Sequence, residues 1–177
     1  SLSGTSKGLL KNNKTGDILA YVGGENSGKK VAIECKFDKS IKLGDVDSLD
    51  IASNKYDTAW SQLLETTVNR GANTSIIVFD KTLADASIQR AVDGVSYIDN
   101  IGFICIIDYE ASDYHNLAIA YNFARRLALR KDGKNIEVDF VNMLIQRLLK
   151  DIRDIQNIEM LVKNNIKNNL QILKNIE

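Results

Sequence analysis

The chain has 177 residues, a length that suits one domain or one domain with an appendage. Apolar residues make up 44%, enough for a core, and charged residues make up 26% with a formal net charge of zero. No global basic excess points to nucleic acid, and no apolar run approaches the ~18 residues of a membrane span. Charge is nevertheless uneven. Residues 1–44 hold eight lysines against four acids, a usable phosphate footprint or a solvated lysine-rich face. Cys35 and Cys105 both sit inside apolar runs and read as reduced, buried residues of a cytoplasmic protein. With His115 as the lone histidine, they are too few for a zinc site. No secretory signal opens the chain, and its abrupt start suggests a fragment of something longer.

The chain contains no proline, so glycine must punctuate it. Residues 17–23 read as a short strand, 24–30 as a polar turn, and 31–37 as a second, apolar strand, together a hairpin. A polar stretch runs from Asp38 to Asp50. Residues 54–70 then carry helical spacing, with Tyr56, Trp60, Leu63, Leu64, Thr67 and Val68 on one stripe and Gly71 as the stop. Residues 74–80 and 102–108 are continuous apolar runs, the pattern of strands covered on both faces. Between them, residues 82–93 predict a short helix opened by Thr82 as N-cap, with Asp85 three residues on. A further helix is predicted from Ser112 or Asp113 to about Arg130, ending near Gly133. From there the pattern changes. Val138, Val141, Ile145, Leu148, Ile152 and Ile155 form a heptad stripe that continues through Val162, Ile166, Leu173 and Ile176, interrupted by Glu159 and Asn169. The division is an α/β domain over residues 1–133 and a heptad segment over 134–177. That segment is either one long helix that pairs with another chain, as a homo-oligomer or coiled-coil partner through 138–177, or a hairpin broken near Asn157.

Two patterns compete as chemistry. Gly23 through Lys29 fits the glycine–lysine phosphate loop, but the next residue is Lys30 instead of Ser or Thr, and a strand follows where a helix is required. A hairpin turn is the better reading. The second pattern is Asp17 followed by Glu34-Cys35-Lys36. Alternation puts Glu34 and Lys36 on one face of a strand, and a hairpin brings the Asp17 carboxylate near Glu34. Two close carboxylates repel unless a cation sits between them, and Mg²⁺ takes such oxygen ligands while keeping waters. The carbonyl oxygen of Cys35 is a further candidate ligand, and Lys36 would orient metal-bound water and offset charge on a phosphate. The plainer alternative is an acid and a lysine on a solvent face. Against it, the strand is otherwise apolar, and charge on an interior strand costs several kcal/mol unless paired.

The run Gly16-Asp17-Ile18-Leu19, then a hairpin, then Ile33-Glu34-Cys35-Lys36-Phe37 resembles the PD-(D/E)XK nuclease superfamily. The amphipathic helix and the TSIIVFD strand that follow resemble its core too, so the similarity covers about residues 7–109. The resemblance implies a restriction-endonuclease-like α/β fold: a mixed central sheet flanked by helices in the order α-β-β-β-α-β, here with a long C-terminal helical segment. It implies that Asp17 and Glu34 bind Mg²⁺, with Mn²⁺ as substitute, that Lys36 assists the attacking water, and that Gln62 on the following helix matches an accessory glutamine. DNA would be the partner, with Lys14, Lys29, Lys30, Lys39 and Lys42 on its phosphates and no membrane involved. The expected activity is Mg²⁺-dependent endonuclease or exonuclease hydrolysis of phosphodiester bonds. The alternative is a catalytically inactive nuclease-fold module for DNA binding or assembly. The chain departs from the pattern at Gly16, where proline often stands, and in having no acid within residues 1–13. Asp108, Glu110 and Asp113 read as loop and helix-start charge, and Trp60 as core.

Overall fold

The computed structural model describes residues 1–4, 6–10, 13–24, 27–37, 39–44, 58–130 and 137–175. Five strands are present: β1 (Ile18–Val22), β2 (Lys29–Lys36), β3 (Thr74–Asp80), β4 (Val95–Ile98) and β5 (Gly102–Ile107). They form one mixed sheet in the order β1-β2-β3-β5-β4. The β1/β2 and β4/β5 pairs are antiparallel, while β2/β3 and β3/β5 are parallel. Four helices accompany the sheet: α1 (Ala59–Arg70), α2 (Ala86–Ala91), α3 (His115–Leu129) and α4 (Val138–Lys174).

The continuous apolar runs of β3 and β5 follow from this arrangement, because both sheet faces are covered. On one face Ile77, Phe79 and Ile104 pack with Leu63 of α1 and Ile88 and Val92 at α2. On the other, Ile76, Val78, Phe103 and Cys105 pack with Ala120 and Ala124 of α3 and with Val141, Ile145 and Leu149 of α4. Edge strand β4 was not foreseen from sequence. Its four residues fall between two polar turns, too short for a periodicity signal. Its open edge is covered by α4: Asn142 accepts from the Tyr97 N–H at 2.8 Å and donates to the Tyr97 carbonyl at 3.1 Å. This side-chain amide stands where a further strand would otherwise pair.

The predicted hairpin, the 74–80 strand and the 102–108 strand form within a residue or two of their expected limits. Two helical expectations are corrected. The short helix starts at Ala86, capped by Asp85, whose carboxylate accepts from Ser87 N at 2.8 Å. Thr82 instead donates its N–H and hydroxyl to Asp80. Helix α1 starts at Ala59 behind a Thr58–Ser61 capping box and ends at Gly71 with φ 55°. Its buried face is Ala59, Gln62, Leu63, Thr66, Asn69 and Arg70, rotated from the predicted stripe, while Val68 is 48% exposed. Tyr56 and the other residues expected at the start of that helix lie outside the described residues.

Helix α4 is continuous over 37 residues and does not fold back near Asn157. Its first turns belong to the sheet's core through Val141, Ile145 and Leu149, and beyond Ile152 every described residue of it is exposed. No helix among the described residues is long and apolar enough to cross a membrane.

Candidate functional site

Strand alternation places Glu34 and Lys36 on the α1 face, since Glu34 is the register partner of Ile77 in the cluster around Leu63. In the β1/β2 ladder Ile18 faces Ile33 and Leu19 faces Ala32. One more step sets Asp17 opposite Glu34, where directly opposed side chains have Cβ atoms about 4.5–5.5 Å apart. Like charges so placed destabilise a sheet unless something intervenes. Backbone amides and one ammonium do so here. The Gly16 N–H donates to Glu34 Oε2 at 2.5 Å, and the Cys35 N–H donates to Asp17 Oδ2 at 2.9 Å. Lys36 Nζ lies 2.7 Å from Glu34 Oε1. The Glu34 side chain is 6% exposed and that of Lys36 20%, so this is a largely desolvated pair. The carboxylates are felt at Cys35 between them. Burial first, then Asp17 and Glu34, push its thiol up to about 11, with Lys36 opposing.

Gly16 could not be proline in this structure. Its φ is 95°, against the −65° that proline imposes, and it needs its N–H for Glu34. A Cβ on Gly16 would lie 2.6 Å from Arg70 Cγ. That arginine is what holds the start of β1 in place. Its guanidinium donates to Gly16 O at 3.0 Å, Ser3 O at 2.7 Å, Lys14 O at 2.7 Å and Ser6 O at 3.1 Å. Beside it, Asn69 donates to Thr15 O at 2.9 Å and accepts from Leu10 N at 3.0 Å. Sequence analysis missed Asn69 and Arg70. Their signal was available in the polar last turn of a helix that ends against the candidate site.

Asp17, Glu34 and Lys36 are therefore brought together on one face. Gln62 is buried on α1, the helix that packs on β2 and β3. The lysines separate. Lys29 and Lys30 start β2, and at ~3.3 Å per residue Lys30 lies about 13 Å along the strand from Glu34. Lys30 instead sits over the Tyr21 ring, 5.7 Å from its centroid. Lys39 and Lys42 follow the end of β2, where Lys42 bridges Thr58 and its charge is felt by Asp85, and Lys14 is exposed in the segment that Arg70 holds. The strand directly after Gly28 leaves no helix to face a phosphate loop at 23–29.

Among the described residues no three His, Cys, Asp or Glu side chains converge, so the donor set at this site is two carboxylates. That set does not suit a closed zinc cage but fits Mg²⁺, which uses one or two protein carboxylates and completes its shell with water and phosphate oxygens. A separate cavity of about 410 Å³ opens between α2, the start of α3 and α4. Its polar side chains are already engaged with one another as Lys81–Asp108, His115–Asp113 and Arg153–Asp93. Comparison of the chain with family models, curated proteins and solved structures finds no match.

Proposed function

We propose that the chain is a metal-dependent deoxyribonuclease with a restriction-endonuclease-like core, its site formed by Asp17, Glu34 and Lys36. The observation carrying this reading is the opposition of Asp17 and Glu34 across the end of the β1/β2 hairpin, each carboxylate held by an amide of the other's strand, with Lys36 Nζ 2.7 Å from Glu34. Asp17 and Glu34 would hold Mg²⁺ or Mn²⁺, with the Cys35 carbonyl a further oxygen ligand. When bound, the ion supplies Lewis-acid stabilisation of charge on a phosphodiester. Lys36 places a positive charge beside the carboxylates, where it can orient a water and offset phosphate charge. Lys39 and Lys42, just past β2, provide phosphate contacts on the same end of the sheet. The described elements run β-β-α-β, without the leading helix and third consecutive strand of the expected α-β-β-β-α-β order, and Leu2 makes only an isolated antiparallel bridge to Ile18.

The test is nicking of supercoiled plasmid with Mg²⁺ or Mn²⁺. The native chain should cut and stop on chelation. Asp17→Asn, Glu34→Gln and Lys36→Ala should each lose about 100-fold or more, the scale on which removing one charge-stabilising group acts. Circular dichroism checks that each variant is folded. Equal cutting by all four proteins would mean contamination and remove the proposal.

A second reading has its own observation. The Lys36–Glu34 pair already neutralises Glu34 without a metal, as in a nuclease-fold module that has lost its chemistry. Calorimetry with Mn²⁺ separates the two. Heat that disappears in Asp17→Asn supports the nuclease, while silence in the native chain together with retained DNA binding supports the module.

A further inference from the structure

Past Ile152, α4 rises away from the domain, with Arg153 still on Asp93 and Gln156 on Asp113. Ile155, Ile158, Leu161, Val162, Ile166, Leu170, Ile172 and Leu173 are each half or more exposed. So much contiguous apolar surface on one rod marks an interface. At 100° per residue these side chains occupy about half of the helix circumference, wider than the narrow seam of a minimal coiled coil.

Two observations say what covers it. The first is charge. Past Ile152 the domain-proximal half carries Asp154 and Glu159, with Arg153 already on Asp93. The distal half carries Lys163, Lys167 and Lys174 and no acid through Asn175. A second copy laid antiparallel sets each basic half along an acidic half, whereas a parallel copy stacks like on like. The second is the position of the two polar breaks in the stripe. Antiparallel pairing about Asn164 makes Ile155 face Leu173 and Val162 face Ile166, and it sets Glu159 against Asn169. Both polar interruptions thus meet each other, and Asn169 can donate to the Glu159 carboxylate. Parallel pairing in register would press Glu159 against its own copy inside an apolar seam, which is costly. Lys163, nearest the axis, is already neutralised by Glu159 at 2.6 Å.

We propose that the projecting half of α4 pairs antiparallel with the same segment of a second copy of this chain, about a two-fold axis beside Asn164. The contact is isologous, so every pair above occurs twice. Sedimentation equilibrium on the native chain should give twice 19.7 kDa. Val162→Asp, at the seam but remote from the core, should give 19.7 kDa with an unchanged circular dichroism spectrum. Orientation is read by disulfide trapping. An Ile155→Cys chain mixed with a Leu173→Cys chain should form the 155–173 disulfide, identified by peptide mass spectrometry, while neither links to itself. A native monomer, a trimer or tetramer, a Val162→Asp protein that stays dimeric, or self-linking of Ile155→Cys would each overturn the proposal.

Discussion

Asp80 ends β3 as a residue only 3% exposed, with no basic partner in its hydrogen bonds. It is kept ionised by donors instead. Its pKa is held below the ordinary 3.8, first by the Thr82 hydroxyl and then by the N–H groups of Tyr109, Thr82 and Leu83, against the upward push of burial. The Tyr109 N–H comes from the turn after β5, at 3.0 Å, so this one side chain ties the ends of two central strands together. The linkage has a definite sign. A carboxyl whose folded pKa is depressed stabilises the fold fully above its unfolded value, and that contribution is lost as pH falls below 3.8 through the folded value. Asp80→Asn should therefore lower the thermal midpoint at pH 7 but narrow its gap to the native protein as pH drops toward 3. Thermal melts across that range check it, and a gap that widens on acidification would contradict the assignment.

At the scale of elements, α1 shows what hydrophobic spacing can and cannot reveal. Its existence, its glycine stop and the burial of Leu63 were legible, because apolar periodicity and Gly71 report on local geometry. The orientation of its face was not. Apolar spacing selects Trp60, Leu64 and Val68, yet the buried side is largely polar, with Gln62, Thr66, Asn69 and Arg70 facing inward. Asn69 and Arg70 are buried because main-chain carbonyls of residues 3–16 wait for them, a demand set by tertiary contacts distant in sequence, whereas the buried Thr66 hydroxyl meets no hydrogen-bond partner among the described residues. The same limit explains the candidate site. Alternation was enough to put Glu34 and Lys36 on one face, and the hairpin to bring Asp17 across. The Gly16 and Cys35 amides that hold the carboxylates carry no sequence pattern, and the Arg70 fork that holds Gly16 shows only as polar residues in the last turn of α1, with nothing to name its partners. Arg70→Lys tests that fork. Lysine offers three donors from a point charge in place of a planar guanidinium, and it cannot reach four carbonyls at once. Loss of about 2–4 kcal/mol in denaturant unfolding is expected, from buried carbonyls left unsatisfied. On the proposed nuclease reading, metal-dependent cutting should fall further than stability alone explains, because the start of β1 loosens. A variant with native stability would mean the fork is incidental.

The whole molecule divides into two energetic regimes along one helix. Through Leu149, α4 shares the core under the sheet, so its hydrogen bonds open only when the domain does. From Asn157 to Lys174, past the Arg153–Asp93 and Gln156–Asp113 contacts with the domain, the rod has its own backbone bonds and, as an ion pair among the described residues, Glu159–Lys163. So exposed a pair adds little, and an isolated helix of ~20 residues is marginal in water. A lone copy should therefore fray from its far end, whereas a paired copy should not. Hydrogen exchange followed by mass spectrometry resolves this by segment. Peptides from β3 and β5 should be protected equally in the native chain and in Val162→Asp. Peptides covering 156–174 should exchange rapidly in Val162→Asp. In the native chain they should gain protection that rises with protein concentration, since association stabilises by mass action. Protection of that segment independent of concentration, or retained in Val162→Asp, would mean that the rod is held by something within its own chain. Fast exchange there at every concentration would mean that its apolar face has no partner in a second copy.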